Sequence, residues 1–275
     1  MRALDRRAGI RHVASAANPL LKVFRHALAE GTTRDGWLAV EGPFLVEEAL
    51  KARGRAVVES VLVAESAAGK FQGLLERVAA GTEVAKVSER LFRQVAHTEA
   101  PQGIAALVEL RADSLEEVLS ASSAALLVAC GLQDPGNLGA MLRSAQALGA
   151  TALVTLKGTV SPFNPKATRA SAGAVFHLPI VCGLKPAVLF PRLRKAAVRI
   201  VAADRHSPSS LADADLRGPV AILIGQEAAG LPPGLACEAD LLLSIPIRSG
   251  TDSLNAAAAA SIFLYEIARQ RGFRY

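Results

Sequence analysis

The sequence predicts an α/β protein whose C-terminal half is a parallel sheet covered by helices on both faces. Three observations carry this. Continuous apolar runs such as Ala125–Cys130 and Val220–Ile224 alternate with stretches of helical length, the pattern of strands buried on both faces. Half of the 275 residues are apolar but only 4% are aromatic, so the core must rest on Ala, Val, Leu and Ile. Three polar, glycine-containing blocks each follow a strand-like run, which is where open α/β sheets bind ligands.

The elements follow in order. Ala17 to Glu30 reads as a helix, with Asn18 as N-cap and Pro19 at the first helical position. Trp37–Val40 is a strand leading through Glu41-Gly42-Pro43 into a helix over Phe44–Arg53. A strand at Val57–Val63, a helix over Phe71–Val78 and a strand at Glu83–Val87 come next. Ser88 caps a short helix to Val95, and Ile104–Leu110 is a further strand. Residues 1–110 thus form one α/β domain. The polar, Ser/Glu-rich stretch 111–123 reads as a linker with one short helix. Residues 124–275 form the second domain. Its expected strands are Ala125–Cys130, Ala152–Leu156, Val175–Ile180, Val198–Ala203, Val220–Ile224 and Leu241–Ile245. Its expected helices lie near Leu138–Leu148, Lys166–Ala170, Ala187–Ala197 and Ser253–Arg271.

The net charge of +6 is unevenly placed. Residues 1–34 hold seven Lys/Arg against Asp5 and Glu30, which is +5 of the total. That segment suits a polyanion such as nucleic acid, or else a solubilising tail. Cys130, Cys182 and Cys237 are far apart with no C-x-x-C pair, which argues against a disulfide framework or structural zinc. Cys130 and Cys182 lie in strand-like runs and read as inert core residues. No run of ~18 apolar residues or signal-peptide pattern occurs, so the expectation is a soluble protein of a reducing compartment.

The common nucleotide fingerprints are missing: no G-x-G-x-x-G follows a strand and no P-loop lysine is present, Asn137 standing where it would fall. The five histidines show no metal spacing, so no metal site is expected. The first block, Asp134-Pro135-Gly136-Asn137-Leu138-Gly139-Ala140-Met141-Leu142-Arg143, is a strand-to-helix turn by its composition alone. In a functional reading Asn137 and Arg143 face one pocket, and the guanidinium grips a phosphate bidentately. The second block, Gly225-Gln226-Glu227-Ala228-Ala229-Gly230-Leu231, is either a tight connection or a loop where a ligand nears the backbone. Glu227 there would hold Arg143 or a backbone amide. The third runs from Ile245-Pro246-Ile247-Arg248 to Ser253-Leu254-Asn255, with Asp252 or Ser253 as the cap of the last helix. A further stretch, Ser161–Gly173, puts Lys166 and Arg169 three apart on one helix face, as a phosphate-gripping turn requires.

In this order and spacing, N-x-G-x-x-x-R, N-P-K-A-x-R-A-S-A-G-A, G-x-E-x-x-G-L and I-P-I with S-L-N resemble the SpoU (TrmH-like) branch of the SPOUT RNA methyltransferases. Asn18–Lys22, Val40-Glu41-Gly42 with Glu47-Glu48-Ala49, and Pro101–Ala105 resemble that family's substrate-binding domain, so the likeness spans nearly the whole chain. Ile247 departs from the methionine of many relatives.

The resemblance implies a C-terminal domain threaded into a trefoil knot, which local pattern does not reveal because ordinary folds lack knots. It implies S-adenosylmethionine as cofactor, held by Gly225, Ile245 and Leu254, and methyl transfer to a ribose 2′-hydroxyl of rRNA or tRNA. Arg143 would be catalytic, reaching the active site across the interface of a homodimer formed by the C-terminal domain. Asn137, Glu227, Ser253 and Asn255 would orient it and the ribose. A guanidinium is a poor base at neutral pH, so anchoring a phosphate and stabilising oxyanion charge is the favoured role. RNA is the expected partner, with Lys22, Arg25, Lys166 and Arg169 as candidate contacts on the folded surface, and the expected location is cytoplasmic. Two alternatives stay open: an RNA-binding protein of this fold without catalysis, and a base methyltransferase of another knotted branch.

Overall fold

The computed structural model describes residues 10–121, 123–226, 229–248, 250 and 252–274. They fall into two compact units: residues up to Arg111 with Phe163–Arg169, and Ala112–Pro162 with Ala170 onward.

The first unit is a five-stranded sheet of β1 (Ile10–Val13), β2 (Leu38–Glu41), β3 (Ala56–Ala64), β4 (Glu83–Val87) and β5 (Ile104–Leu110), in the order β1-β4-β3-β5-β2. β1, β4 and β3 run parallel, while β5 is antiparallel to both β3 and β2. Helix α1 (Pro19–Glu30) begins as its sequence predicts: the Asn18 side chain accepts from the Leu20 N–H, and Pro19 opens the first turn. It buries Leu21, Phe24, Ala27 and Leu28, one stripe at helical spacing. Helices α2 (Pro43–Lys51), α3 (Glu65–Ala68), α4 (Gln72–Leu75) and α5 (Glu89–Val95) complete the unit.

Two findings here depart from the sequence reading. Part of the basic N-terminal segment is strand β1, with Arg11 ion-paired to Glu83 on the neighbouring strand at 3.6 Å. The helix expected over Phe71–Val78 shrinks to the single turn α4, which carries Gly73, a poor helix former, inside it.

The second unit contains α6 (Leu115–Leu119), β6 (Ala125–Ala129), α7 (Pro135–Ala147), β7 (Ala152–Leu156), β8 (Ile180–Leu184), α9 (Pro186–Lys195), β9 (Arg199–Ala203), β10 (Val220–Ile224), β11 (Leu241–Leu243) and α10 (Ala256–Gln270). The short helix α8 (Pro165–Ala170) has all but its last residue in the first unit. The sheet order is β11-β9-β10-β6-β7-β8, and every pairing is parallel. Every residue of β6, β7 and β10 is buried, as the unbroken apolar runs require. Leu115 and Val118 of α6, inside the stretch read as linker, join Leu126, Val128, Leu189, Phe190 and Leu223 in the core of this unit. The N-terminus of α6 is fixed by a capping box between Ser114 and Glu117.

The strand expected at Val175–Ile180 is displaced. Ala174–Phe176 form a buried 3-10 turn, and β8 starts at Ile180. A short apolar run reads the same in a buried turn as in a strand, whereas β8 is an edge strand with Cys182 and Gly183 exposed. Cys182 is therefore not a core residue. Cys130 is, and burial pushes its thiol up to about 12, which keeps it protonated and inert.

Candidate active site

The carboxyl ends of β9, β10 and β11 open onto a cavity of about 300 Å³, at the lower end for a small-molecule site. Its walls come from four stretches of chain. After β10 stand Gly225, Gln226, Ala229, Gly230 and Leu231; after β11, Ile245 and Ile247; and before α10, Ser253 and Leu254. Asp204, Arg205 and His206, just after β9, form the fourth side, and Phe263 of α10 also lines it.

Gly225 is buried because the chain crosses itself there. A Cβ at this position would run into the carbonyl of Gly230 and the amide of Leu231. The crossing is held by reciprocal backbone bonds: Gln226 N–H donates to Gly230 O at 2.8 Å, and Gly230 N–H to Gln226 O at 2.9 Å. Gly230 has φ +68°, a left-handed value that glycine adopts without strain. The Gln226 amide then donates to Gly131 O at 2.9 Å, tying the loop to the end of β6. Glu227 lies outside the described residues.

The first and third sequence blocks meet beside the cavity. Asp134 is the N-cap of α7, its carboxylate accepting from the Asn137 N–H at 2.8 Å. The Asn137 side-chain carbonyl accepts from Asn255 Nδ2 at 2.9 Å. Asn255, and neither Asp252 nor Ser253, caps α10: its Oδ1 accepts from the N–H groups of Ala257 and Ala258 at 2.9 and 3.3 Å. One asparagine thus starts a helix and holds the side chain of another motif 118 residues away. Farther along, Ser261 of α10 donates to Ser144 of α7 at 2.7 Å. Ala256, Ala257 and Ala260 are buried on α10, small enough for the close approach of the two helices.

The structure does not bring Arg143 to the cavity of its own chain. It is exposed on α7 and is not among the lining residues. Gly225, Ile245, Leu254 and Ser253 do line the cavity. Lys22 and Arg25, exposed on α1, and Lys166 and Arg169, exposed on α8, all belong to the first unit. There the carbonyl of Phe163 lies against Gly31 at the end of α1. Asp204, Arg205, His206 and Gln226 were missed by the sequence reading. The signal was present: three of them directly follow strand β9, the position the strand-end rule marks.

Among the described residues no group of three His, Cys, Asp or Glu is placed to hold a metal ion, and no helix is long and apolar enough to cross a membrane.

Known proteins resemble the chain over both units. The model of the SpoU rRNA methylase family matches residues 124–265, and that for RNA 2′-O ribose methyltransferase substrate binding matches residues 39–112. A 23S rRNA (guanosine(2553)-2′-O)-methyltransferase of Bacillus subtilis is 33% identical over 94% of this chain and 99% of its own. Among solved structures, the SpoU methyltransferase AviRb from Streptomyces viridochromogenes in complex with AdoMet superposes with a TM-score of 0.82 at 30% identity, covering 92% of this chain and 98% of that one. An AdoMet-bound rRNA methyltransferase from Sinorhizobium meliloti gives 0.82 at 31%, covering 94% and 98%.

Proposed function

The chain belongs to the SpoU rRNA methylase family, and from that premise and the geometry above we propose that it is an S-adenosylmethionine-dependent methyltransferase acting on a ribose 2′-hydroxyl of ribosomal RNA. The observation that carries the reading is the Asn255–Asn137 bond. It joins the N-x-G-x-x-x-R and S-L-N blocks at the edge of a cavity walled by the other motif segments.

The cavity suits the cofactor. Leu231, Ile245, Leu254 and Phe263 offer apolar surface to an adenine ring, and Asp204 and Ser253 offer polar groups to a zwitterionic amino-acid end. The cofactor supplies an electrophilic methyl group on sulfur, and the protein must align a weak nucleophile with it. Holding both reactants in line is worth roughly 7–11 kcal/mol in favourable cases. Gly225, Ile245 and Leu254 hold the cofactor, while Asn137, Ser253 and Asn255 orient the ribose, with Glu227 assigned the same role from the sequence. Arg143 anchors a substrate phosphate and stabilises the negative charge that develops on the 2′-oxygen.

Because Arg143 is remote from the cavity of its own chain, the reading includes a homodimer, formed through the C-terminal domain, in which it serves the partner's cavity. It also includes the trefoil knot that the resemblance implies for the last segments of the C-terminal domain. Residues 1–110 present the RNA, with Lys22, Arg25, Lys166 and Arg169 as phosphate contacts and 111–123 connecting to the catalytic domain. The cytoplasm, where ribosomal RNA is, is the proposed location.

The test is transfer of labelled methyl from S-adenosylmethionine to ribosomal RNA and to tRNA, followed by alkaline hydrolysis. A methylated 2′-oxygen cannot attack the adjacent phosphate, so the label should emerge in an alkali-resistant dinucleotide from ribosomal RNA. Label recovered on a base would assign the base-methylating reading. Label found only in tRNA would reject the ribosomal substrate.

A further inference from the structure

Arg205 is the one Lys or Arg among the described residues lining the cavity, and its hydrogen bonds join two walls that are distant in sequence. Its Nε donates to His206 Nε2 at 3.0 Å, and its Nη1 donates to the carbonyl of Asp252 at 3.2 Å. The turn that carries it is firmly held. The Asp204 N–H donates to Leu243 O at 3.0 Å, the His206 N–H to Asp204 Oδ1 at 2.9 Å, and the Ser207 hydroxyl to Leu242 O at 2.6 Å. The opposite wall is not. Among the described residues between Ile245 and Leu254, only Asp252 is hydrogen-bonded to another segment, and its partner is Arg205. Asp252 directly precedes Ser253 and Leu254, which face the cavity.

We infer that Arg205 is a positioning residue for the cofactor: it clasps the 245–254 wall to the turn after β9, so that the cavity stands formed before S-adenosylmethionine arrives. The inference rests on the cofactor reading above. Without that tie the described residues of the wall must be ordered at the moment of binding, and that cost is subtracted from affinity. The guanidinium fork suits the task because two of its nitrogens reach separate acceptors; an ammonium is a point donor. His206 aims the fork by accepting at Nε2. A competing role for Arg205 is direct pairing with the carboxylate of the cofactor's amino-acid end.

The two roles separate with two ligands. 5′-Methylthioadenosine keeps the adenosyl thioether and lacks the amino-acid end. Arg205 is exposed, so substitution leaves the core intact. Calorimetry on the full-length protein is expected to show Arg205→Ala weakening both ligands by the same factor, about ten-fold, the worth of one charge-assisted hydrogen bond. Arg205→Lys should not restore binding, and His206→Ala should give a smaller loss of the same kind. Asp252→Ala retains the carbonyl and should bind like wild type. KM for the cofactor should rise while kcat at saturation stays. Loss confined to S-adenosylmethionine would replace the clasp by carboxylate pairing, and unchanged affinities for both would overturn it. Wild-type protein that binds neither ligand would instead remove the cofactor reading on which the clasp rests.

Discussion

The two ends of the six-stranded sheet are built to different standards. At the carboxyl end the chain leaves β9, β10 and β11 through loops that wall a cavity, and among the described residues from Ile245 to Leu254 only Asp252 is tied to another segment. At the amino end the same helix α10 finishes in a cluster of arginine and glutamine bonds. Arg271 donates to the carbonyls of Ser123, Ala124 and Gly218 at 2.8, 3.2 and 2.6 Å. Gln270 donates to Ala214 O at 2.8 Å and accepts from the Leu216 N–H at 2.7 Å. Arg271 is partly buried there, and desolvation lowers its pKa. The arrangement places chain fastening at one end and ligand chemistry at the other, with α10 as the bar between them. Variants at the two ends should therefore separate stability from activity.

The largest effect belongs to Arg143. Arg143→Ala should lower methyl transfer by about 10²–10³-fold or more, the scale for removing a transition-state donor, with cofactor affinity unchanged. Arg143→Lys should also be poor, since an ammonium does not reproduce the fork. If Arg143 serves the partner's cavity, mixing Arg143→Ala with a cofactor-dead variant should restore about a quarter of wild-type activity, because half the dimers then hold one intact site. No recovery on mixing would place Arg143 in its own chain's site.

Next is Gly225→Ala. The added methyl meets the Gly230 carbonyl and must push the loop crossing apart, so cofactor affinity should fall by more than about ten-fold, in line with the 1–3 kcal/mol of overpacking. Calorimetry with normal affinity would show that the crossing does not shape the site.

Asn255 tests the bar where it meets the cavity. Asn255→Asp keeps an oxygen to cap α10 but loses the donor to Asn137. It should lower kcat with little change in thermal midpoint, whereas Asn255→Ala should also cost about 1 kcal/mol of stability. Equal kinetics in the two variants and wild type would reduce Asn255 to a cap.

At the far end, Arg271→Ala should destabilise the protein by about 1–3 kcal/mol and leave kcat and KM at 25 °C as they were. A kinetic defect without a shift in denaturation midpoint would break the division between the two ends.

The smallest effect is expected outside the sheet. Removing residues 1–9 deletes Arg2, Arg6, Arg7 and Asp5 while sparing β1, which starts at Ile10. If the three arginines meet phosphates, the salt slope of RNA binding becomes shallower by about 2, with cofactor affinity intact. An unchanged slope would leave only the solubilising role.

Much of the second sheet was legible because β6, β7 and β10 are buried throughout, which gives unbroken apolar runs of strand length bounded by turn residues. Two of the edge strands were not. β1 is Ile10, Arg11, His12, Val13, four residues without apolar–polar alternation inside a charged segment, and β8 carries Gly183 at φ +69°. Among the site residues, those in glycine-marked blocks stood out. Arg205 and His206 did not, since apart from their position after an expected strand their residue types do not distinguish them from surface charges. Their place follows from β9 lying beside both β10 and β11. The cap of α10 was misplaced by two to three residues because Asp252, Ser253 and Asn255 are all competent N-caps. The bond to Asn137 that favours the last of them is visible only in three dimensions.

The strand order has a consequence for how the molecule is made. β10 is inserted between β9 and β6, and the residues just beyond β6 and β10, Gly131 and Gln226, lie 95 positions apart. During synthesis β6, β7 and β8 can pair as they emerge, but β9 has no neighbour until β10 follows it. Until then the apolar edge of β6 has no strand beside it, and closing so long a loop is slow. A nascent chain halted before Val220 would carry a half-sheet with an open, oily flank, the kind of edge that recruits other chains. Assembly of this sheet therefore makes its vulnerable period last until the strand that leads into Gly225 has been synthesised.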